Sequence, residues 1–256
     1  MKKFILILIV FIGIILFFQC QKKDVGLYEE NRADQMFETR STIEYSKVVS
    51  PNCNIYSYVQ GLPSSPTFVV TVKDTFETDL GCKIEIVMDA YYYPNGNNYF
   101  FEFRNLKWRP ILPFSSACDE WYQENFGSTY IGDTREYYYE FVDTLRKFLV
   151  ENYMENWVIQ NQIPCTGHRV SSFFYKSPCT QLCHKTIQTK DGPYFVLLEK
   201  PCADDGCCVE ITDYCLTPTG VIKQHEYQLI HSCTNYIIVD CEGGNTVGAC
   251  IEKGCF

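Results

Sequence analysis

The sequence predicts an α+β protein: an antiparallel sheet carrying one amphipathic helix, followed by a small disulfide-rich all-β unit. Three observations lead there. Two β-branched and aromatic runs, "CKIEIVMDAYYY" and "NYFFEFRNLKW", flank "PNGN", where Asn95 and Gly96 accept the positive φ of a tight hairpin turn. Beyond them the apolar period changes from two residues to 3.6. Ten of the 15 cysteines then crowd into residues 175–256, above the ~8–10% at which a short secreted segment reads as a disulfide scaffold.

The chain begins with "MKK" and an unbroken apolar run from Phe4 to Phe18. That run is short of the about 20 residues a membrane helix needs and fits the h-region of a secretory signal. Cys20 follows directly, then the polar "QKKD". This arrangement resembles the cleavage and lipidation site of a bacterial lipoprotein, although Phe18 and Gln19 stand where such sites carry small residues. The resemblance implies cleavage before Cys20, a lipid on its thiol, attachment to a membrane (the outer one, facing the periplasm or the surface) and a place in the cell envelope. An uncleaved signal anchor is the alternative. The cysteine count favours lipid: 15 is odd, and assigning Cys20 to lipid leaves an even set for disulfides in an oxidising compartment.

Without Lys2 and Lys3 the chain keeps 20 basic residues against 31 acidic ones, a net charge of −11. An acidic surface repels phosphate backbones, so nucleic acid is not an expected partner. With 19 Tyr and 18 Phe the chain has ample material for a core.

Residues 21–50 read as a charged tether with a short helix around Arg32 to Thr39. Thr67 to Asp74, "TFVVTVKD", reads as a strand ahead of the hairpin. Asp133, with Glu136 three residues on, forms a capping box for a helix reaching about Asn152. Its apolar face is Tyr138, Phe141, Val142, Leu145, Phe148 and Leu149, and its opposite face carries Asp143, Arg146 and Lys147. After Cys165 come five short strand-like runs separated by turn residues. The expected organisation is therefore a signal over 1–20, a tether over 21–50, an α+β domain over 51–170 and a disulfide-rich β domain over 171–256. Cysteine parity draws the last boundary. Cys53, Cys82, Cys118 and Cys165 are expected to pair among themselves, Cys118 with Cys165 and Cys53 with Cys82. Cys179, Cys183, Cys202, Cys207, Cys208, Cys215, Cys233, Cys241, Cys250 and Cys255 are expected to do likewise.

"CTQLCH" at Cys179, Cys183 and His184 has three readings. It is one residue longer than the c-type haem motif, with His168, His225, His231 or Met88 as conceivable axial partners. It also offers zinc ligands, as do Cys202, Cys207, Cys208 and Cys215. The third reading, halves of different disulfides, is the expected one; no cofactor and no metal are expected. The adjacent Cys207 and Cys208 should send their sulfurs to different partners, since neighbours in a strand point to opposite faces. A strained ring between them, acting as a redox switch, is the alternative. "ADDG" lacks the alternation of a calcium loop. No G-x-S-x-G elbow, phosphate-cradling glycine loop or H-E-x-x-H motif is present, so an enzyme is not expected.

The aromatic hairpin is the candidate ligand site. Tyr91 and Tyr93 share one face of their strand, and Tyr99, Phe101 and Phe103 share a face of the next. An exposed aromatic row would bind a protein or a carbohydrate; a sheet covered on both faces is the alternative. "CC…YC" (Cys207, Cys208, Tyr214, Cys215) resembles a segment of cysteine-rich exported proteins of Gram-negative bacteria, a likeness that brings no activity with it. The expected function is a lipid-anchored, non-enzymatic binding or structural module of the envelope. A periplasmic protein with redox, haem or metal chemistry at its cysteines is the alternative.

Overall fold

Asn95 pairs with Asn98, and Gly96 between them takes φ +61°, closing the hairpin from which the rest of the sheet is built. The computed structural model describes residues 44–256 except 58, 112–114, 127–130, 190, 191, 254 and 256. Cys20 and the helix expected around Arg32 to Thr39 lie outside the described residues. In chain order the elements are β1 (Ser46–Val48), β2 (Phe68–Glu77), β3 (Lys83–Asn95), β4 (Asn98–Pro110), α1 (Ser116–Phe126) and α2 (Ile131–Asn161). There follow β5 (Arg169–Lys176), β6 (Cys179–Thr189), β7 (Gly192–Pro201), β8 (Cys207–Thr217), β9 (Gly220–His231) and β10 (Asn245–Glu252).

The expected fold class is corrected. Among the described residues the ten strands form one mixed sheet, and strand residues outnumber helical ones by 50% to 21%. The sheet forks at β4. One edge of β4 pairs with β3 along its length, and β3 in turn with β2. The other edge is shared. Asn98–Phe103 pair with β5 in parallel, leading to β8 and β9, while Lys107 and Trp108 pair with β1, leading to β7, β6 and β10. The change of partner coincides with a bulge, where β4 spends one more residue between Arg104 and Lys107 than β3 spends between Asp89 and Val87. Asn105 sits in it at φ +58°, a conformation Asn tolerates better than most residues. Its side-chain amide donates to Asp89 (3.0 Å) and its backbone N–H to the Ser50 hydroxyl (3.2 Å). A bulge bends and twists its strand, turning the second half of β4 toward a new neighbour.

Two further expectations change with the fork. The tether expected to reach Ser50 gives way earlier, because Ser46–Val48 is a strand between β4 and β7 with Ser46 buried. The boundary expected at residues 170–171 falls inside β5, and Ile43–Phe256 form one compact unit.

The two described helices, α1 and α2, pack on one sheet face. Tyr138, Phe141, Val142, Leu145 and Leu149 of α2 are buried as expected, and the helix continues to bury Met154 and Val158. It starts at Ile131, so Asp133 lies within it rather than ahead of it. Trp157 and Tyr153 of α2 meet Phe101 and Phe103 of β4 at ring separations of 5.0 and 5.8 Å. Helix α1, absent from the sequence reading, sets Trp121 edge-on to Trp108 at 6.4 Å. Each such buried aromatic is worth roughly 1.5–3 kcal/mol, which makes this layer the main apolar contribution to the fold.

Seven cystines use every cysteine from Cys53 to Cys255. Cys82 pairs with Cys118, fastening α1 to the start of β3. The expected Cys118–Cys165 and Cys53–Cys82 bridges are corrected: Cys53 pairs with Cys207 and Cys165 with Cys215, and both bonds cross residue 170. Cys179–Cys233, Cys183–Cys241, Cys202–Cys250 and Cys208–Cys255 complete the set. Such a chain belongs to an oxidising, extracytoplasmic compartment. Among the described residues no helix is long and apolar enough to cross a membrane.

Candidate functional site

The five aromatic residues of the hairpin do not share a surface. Tyr99, Phe101 and Phe103 lie on the helix side, where Phe101 and Phe103 are buried and Tyr99 packs against Trp157 at 5.2 Å. Tyr91 and Tyr93 face the other way and join Phe100, Phe173, Tyr175, Val209 and Ile211 in a second apolar cluster. That cluster is roofed by residues 51–63, which bury Ile55 against it and are fastened by Cys53–Cys207. Tyr56 adds an edge-on ring contact to Tyr93 at 6.3 Å, and the Asn95 amide donates to the Gln60 carbonyl at 3.5 Å. The sheet is covered on both faces here, and the cover on the second face is this strap.

Within the second cluster Glu102 is fully buried. The Tyr93 hydroxyl donates to its carboxylate at 3.1 Å, and the Arg104 guanidinium pairs with it. Burial raises the Glu102 pKa, and Arg104 offsets only part of that.

A second group of charges lies between α2 and the sheet. Arg146, expected on the exposed face of the helix, is 3% exposed and pairs with the equally buried Glu210 of β8 at 2.5 Å. It also pairs with Asp143 at 2.8 Å and stacks over Phe174 at 4.5 Å. Lys176 joins Asp143 at 2.6 Å. Burial opposes the charge on Asp143, but Arg146 and Lys176 outweigh it and hold the carboxyl well below its usual range. The cavity beside these groups is about 10 Å³, the room of one water. At its margin the Thr212 hydroxyl lies 2.9 Å from His225 Nδ1, and Glu210 Oε1 lies 3.9 Å from the same nitrogen. A catalytic relay needs hydroxyl and carboxylate on opposite nitrogens of the imidazole. Here both address Nδ1, so the three do not form one.

The cysteine motif resolves into two bonds. Cys179 pairs with Cys233 and Cys183 with Cys241, so "CTQLC" grips the two ends of residues 233–241. Cys207 and Cys208 go to different partners, Cys53 and Cys255, as strand alternation requires. The thiolates that haem attachment or a zinc site would use are thus bonded to sulfur, and His184 instead meets the Phe195 ring edge-on at 6.4 Å.

The clamped loop carries the clearest exposed apolar feature. Tyr236, Ile237 and Ile238 are 58%, 42% and 101% exposed, while Val239 packs inward against the Cys179 and Cys202 cluster. The backbone beneath them is fixed. Ile237 N–H donates to Cys202 O (3.0 Å), Asp204 N–H to Asn235 O (3.1 Å), and Lys200 Nζ to Asp240 O (2.9 Å). The Asp205 carboxylate accepts from the backbone N–H groups of Thr234 and Asn235 at 3.0 and 3.2 Å. Those bonds, the Thr234 hydroxyl's first, lower its pKa to about 2. Gly244 lets the returning chain run against the His184 carbonyl, where a Cβ would collide. Sequence reading missed this surface; the signal was "NYIIVD" lying between two cysteines.

Beside the clamp, Glu44, Tyr45, Lys47, His184, Lys185 and Glu242 line a cleft of about 20 Å³. Neither this cleft nor the one under α2 approaches the roughly 300–1,000 Å³ of a small-molecule site. No family model, no curated protein and no solved structure matches the chain.

Proposed function

We propose that this protein is a lipid-anchored, non-enzymatic module of the cell envelope, held to its membrane through Cys20 and built to present a rigid surface to a ligand. One observation carries the reading: every cysteine from Cys53 onward is in a cystine, which leaves Cys20 as the one thiol without a disulfide role. Its position at the end of an apolar signal-length run supports a lipid there. Seven cystines suit a module that must keep one shape in an oxidising compartment outside the cytoplasm. The Tyr236–Ile238 tip is the contact surface best supported by exposure and rigidity. Metabolic labelling with a radioactive fatty acid tests the anchor. The wild-type chain should take up label and sediment with membranes, and Cys20→Ser should lose the label and either leave the membranes or persist as an uncleaved precursor. Label retained by Cys20→Ser rejects this thiol as the lipid site.

A further inference from the structure

We infer that Tyr236, Ile237 and Ile238 form a shallow membrane-contacting wedge, so that the folded unit sits on the bilayer to which it is tethered. The inference rests on the anchored reading above and deepens it.

Scattered exposed apolar residues need no explanation, but these three are consecutive and Ile238 is wholly in water. They are also held out. Cystines at Cys233 and Cys241 fix both ends of the loop to β6, and backbone hydrogen bonds fix its middle. A loop free to relax would fold such side chains inward; this one cannot, so their exposure is built into the covalent frame.

The position of the loop identifies what it meets. The chain enters the folded unit at Glu44, whose carboxylate pairs with Lys185 at 2.9 Å and whose N–H donates to the Tyr194 hydroxyl at 2.7 Å. Glu44 lines the same cleft as the Cys183–Cys241 cystine, three residues from Ile238. Residues 21–43 separate Cys20 from this corner and span at most about 80 Å when fully extended. Along the chain, this corner is the part of the folded unit nearest the anchor.

Charge and size agree. On the entering side, Lys47, Lys185 and Lys200 stand against Glu44, Asp240 and Glu242, with Glu242 paired to Lys200 at 3.0 Å and to Lys47 at 3.6 Å. This rim is balanced although the whole chain is acidic, so headgroup phosphates do not repel it; Asp204 and Asp205 lie at the other end of the loop, beneath Thr234 and Asn235. Three side chains fall well short of the roughly 800 Å² per partner that a stable protein interface buries. They are enough for a shallow contact beside a lipid anchor, where a second attachment is added to the first. A tyrosine with two isoleucines also suits the headgroup boundary, where an aromatic ring carrying one polar end settles.

The test uses the full chain purified in detergent and returned to phosphatidylcholine vesicles, in Ile238→Trp and Thr219→Trp forms. Thr219 is an exposed residue of the β8–β9 turn, on the other branch of the sheet. Lipids brominated on their acyl chains should quench the emission added by Ile238→Trp about twofold, as for a ring lying ~5–10 Å into the boundary, and leave Thr219→Trp unchanged. Equal responses from the two variants overturn the inference. So does shielding of Ile238→Trp from acrylamide that depends on protein density and not on bromine, which assigns the tip to a second copy. Flotation of the parent chain with the vesicles is read in the same samples. Flotation without quenching removes the wedge and keeps the anchor, whereas loss of flotation removes both.

Discussion

Replacing Cys53 and Cys207 together by Ala isolates the strap over the second apolar cluster. The bond closes a loop of 154 residues, the longest in the protein. On the chain-entropy treatment a crosslink of that span removes about 5 kcal/mol of denatured-state freedom. The Cys82–Cys118 and Cys165–Cys215 bonds shorten the path between its ends, which lowers the figure to about 4.5 kcal/mol. Strap residues Ile55, Val59 and Leu62 cover Tyr93, Phe100 and Phe173, so part of the loss should be local: the strap lifts while the helix-side core persists. Guanidinium unfolding of the double variant, with the other six cystines intact, should give a midpoint lower by an amount equivalent to about 4 kcal/mol. Hydrogen exchange should rise first at residues 51–63 and then at β5 and β8. A loss below about 1 kcal/mol, or exchange rising equally in α2, would refute the role assigned to this bond.

Two more outcomes follow from the charges under α2 and near the C-terminus. Arg146→Met should destabilise by about 3–5 kcal/mol because it leaves Glu210 buried without its partner, and adding Glu210→Leu should recover most of that; urea unfolding of the cycle measures it. Lys253 lies against Glu199 at 2.9 Å and over the Tyr139 ring, and burial lowers its pKa to about 8 against the opposing pull of Glu199. Its folded pKa lies below the unfolded value, so the unfolded chain binds the extra proton between these two values. This group's contribution to stability should therefore rise with pH from about 8 toward the ordinary lysine range. Reductive ¹³C-methylation and NMR titration should find one lysine with a midpoint near 8; if all titrate in the ordinary range, Lys253 is not held buried against Glu199.

What the sequence made legible was local. The hairpin at Gly96, strands β2 to β9 and the buried face of α2 follow from periods of two and 3.6, which short windows carry. The hidden parts are non-local or short. The parallel pairing of β4 with β5 joins strands separated by two helices, and no window contains both. Strand β1 has three residues, too few to show a period, and it closes the end of a stretch that otherwise reads as charged tether. Helix α1 does place Cys118, Trp121, Tyr122 and Phe126 at helical spacing, but its 11 residues carry barely three turns of that period. Arg146 reads as a surface charge until Glu210 arrives from a strand 64 positions on. Cysteine parity misled for a combinatorial reason: it forbids an odd number of bonds across a boundary, and two cross it here. For the candidate site, alternation correctly separated Tyr91 and Tyr93 from Tyr92, but it carried no information about the strap that covers them.

Non-reducing proteolysis of the membrane-extracted protein, with mass spectrometry of every cysteine-containing peptide, tests the central claim most directly. The account predicts seven cystines, with Cys53 joined to Cys207 and Cys165 to Cys215, no free thiol among the fourteen, and an N-terminal peptide that begins at an acylated Cys20. A free thiol among the fourteen, a disulfide at Cys20, or an unmodified Cys20 in a chain that still begins at Met1 would contradict it.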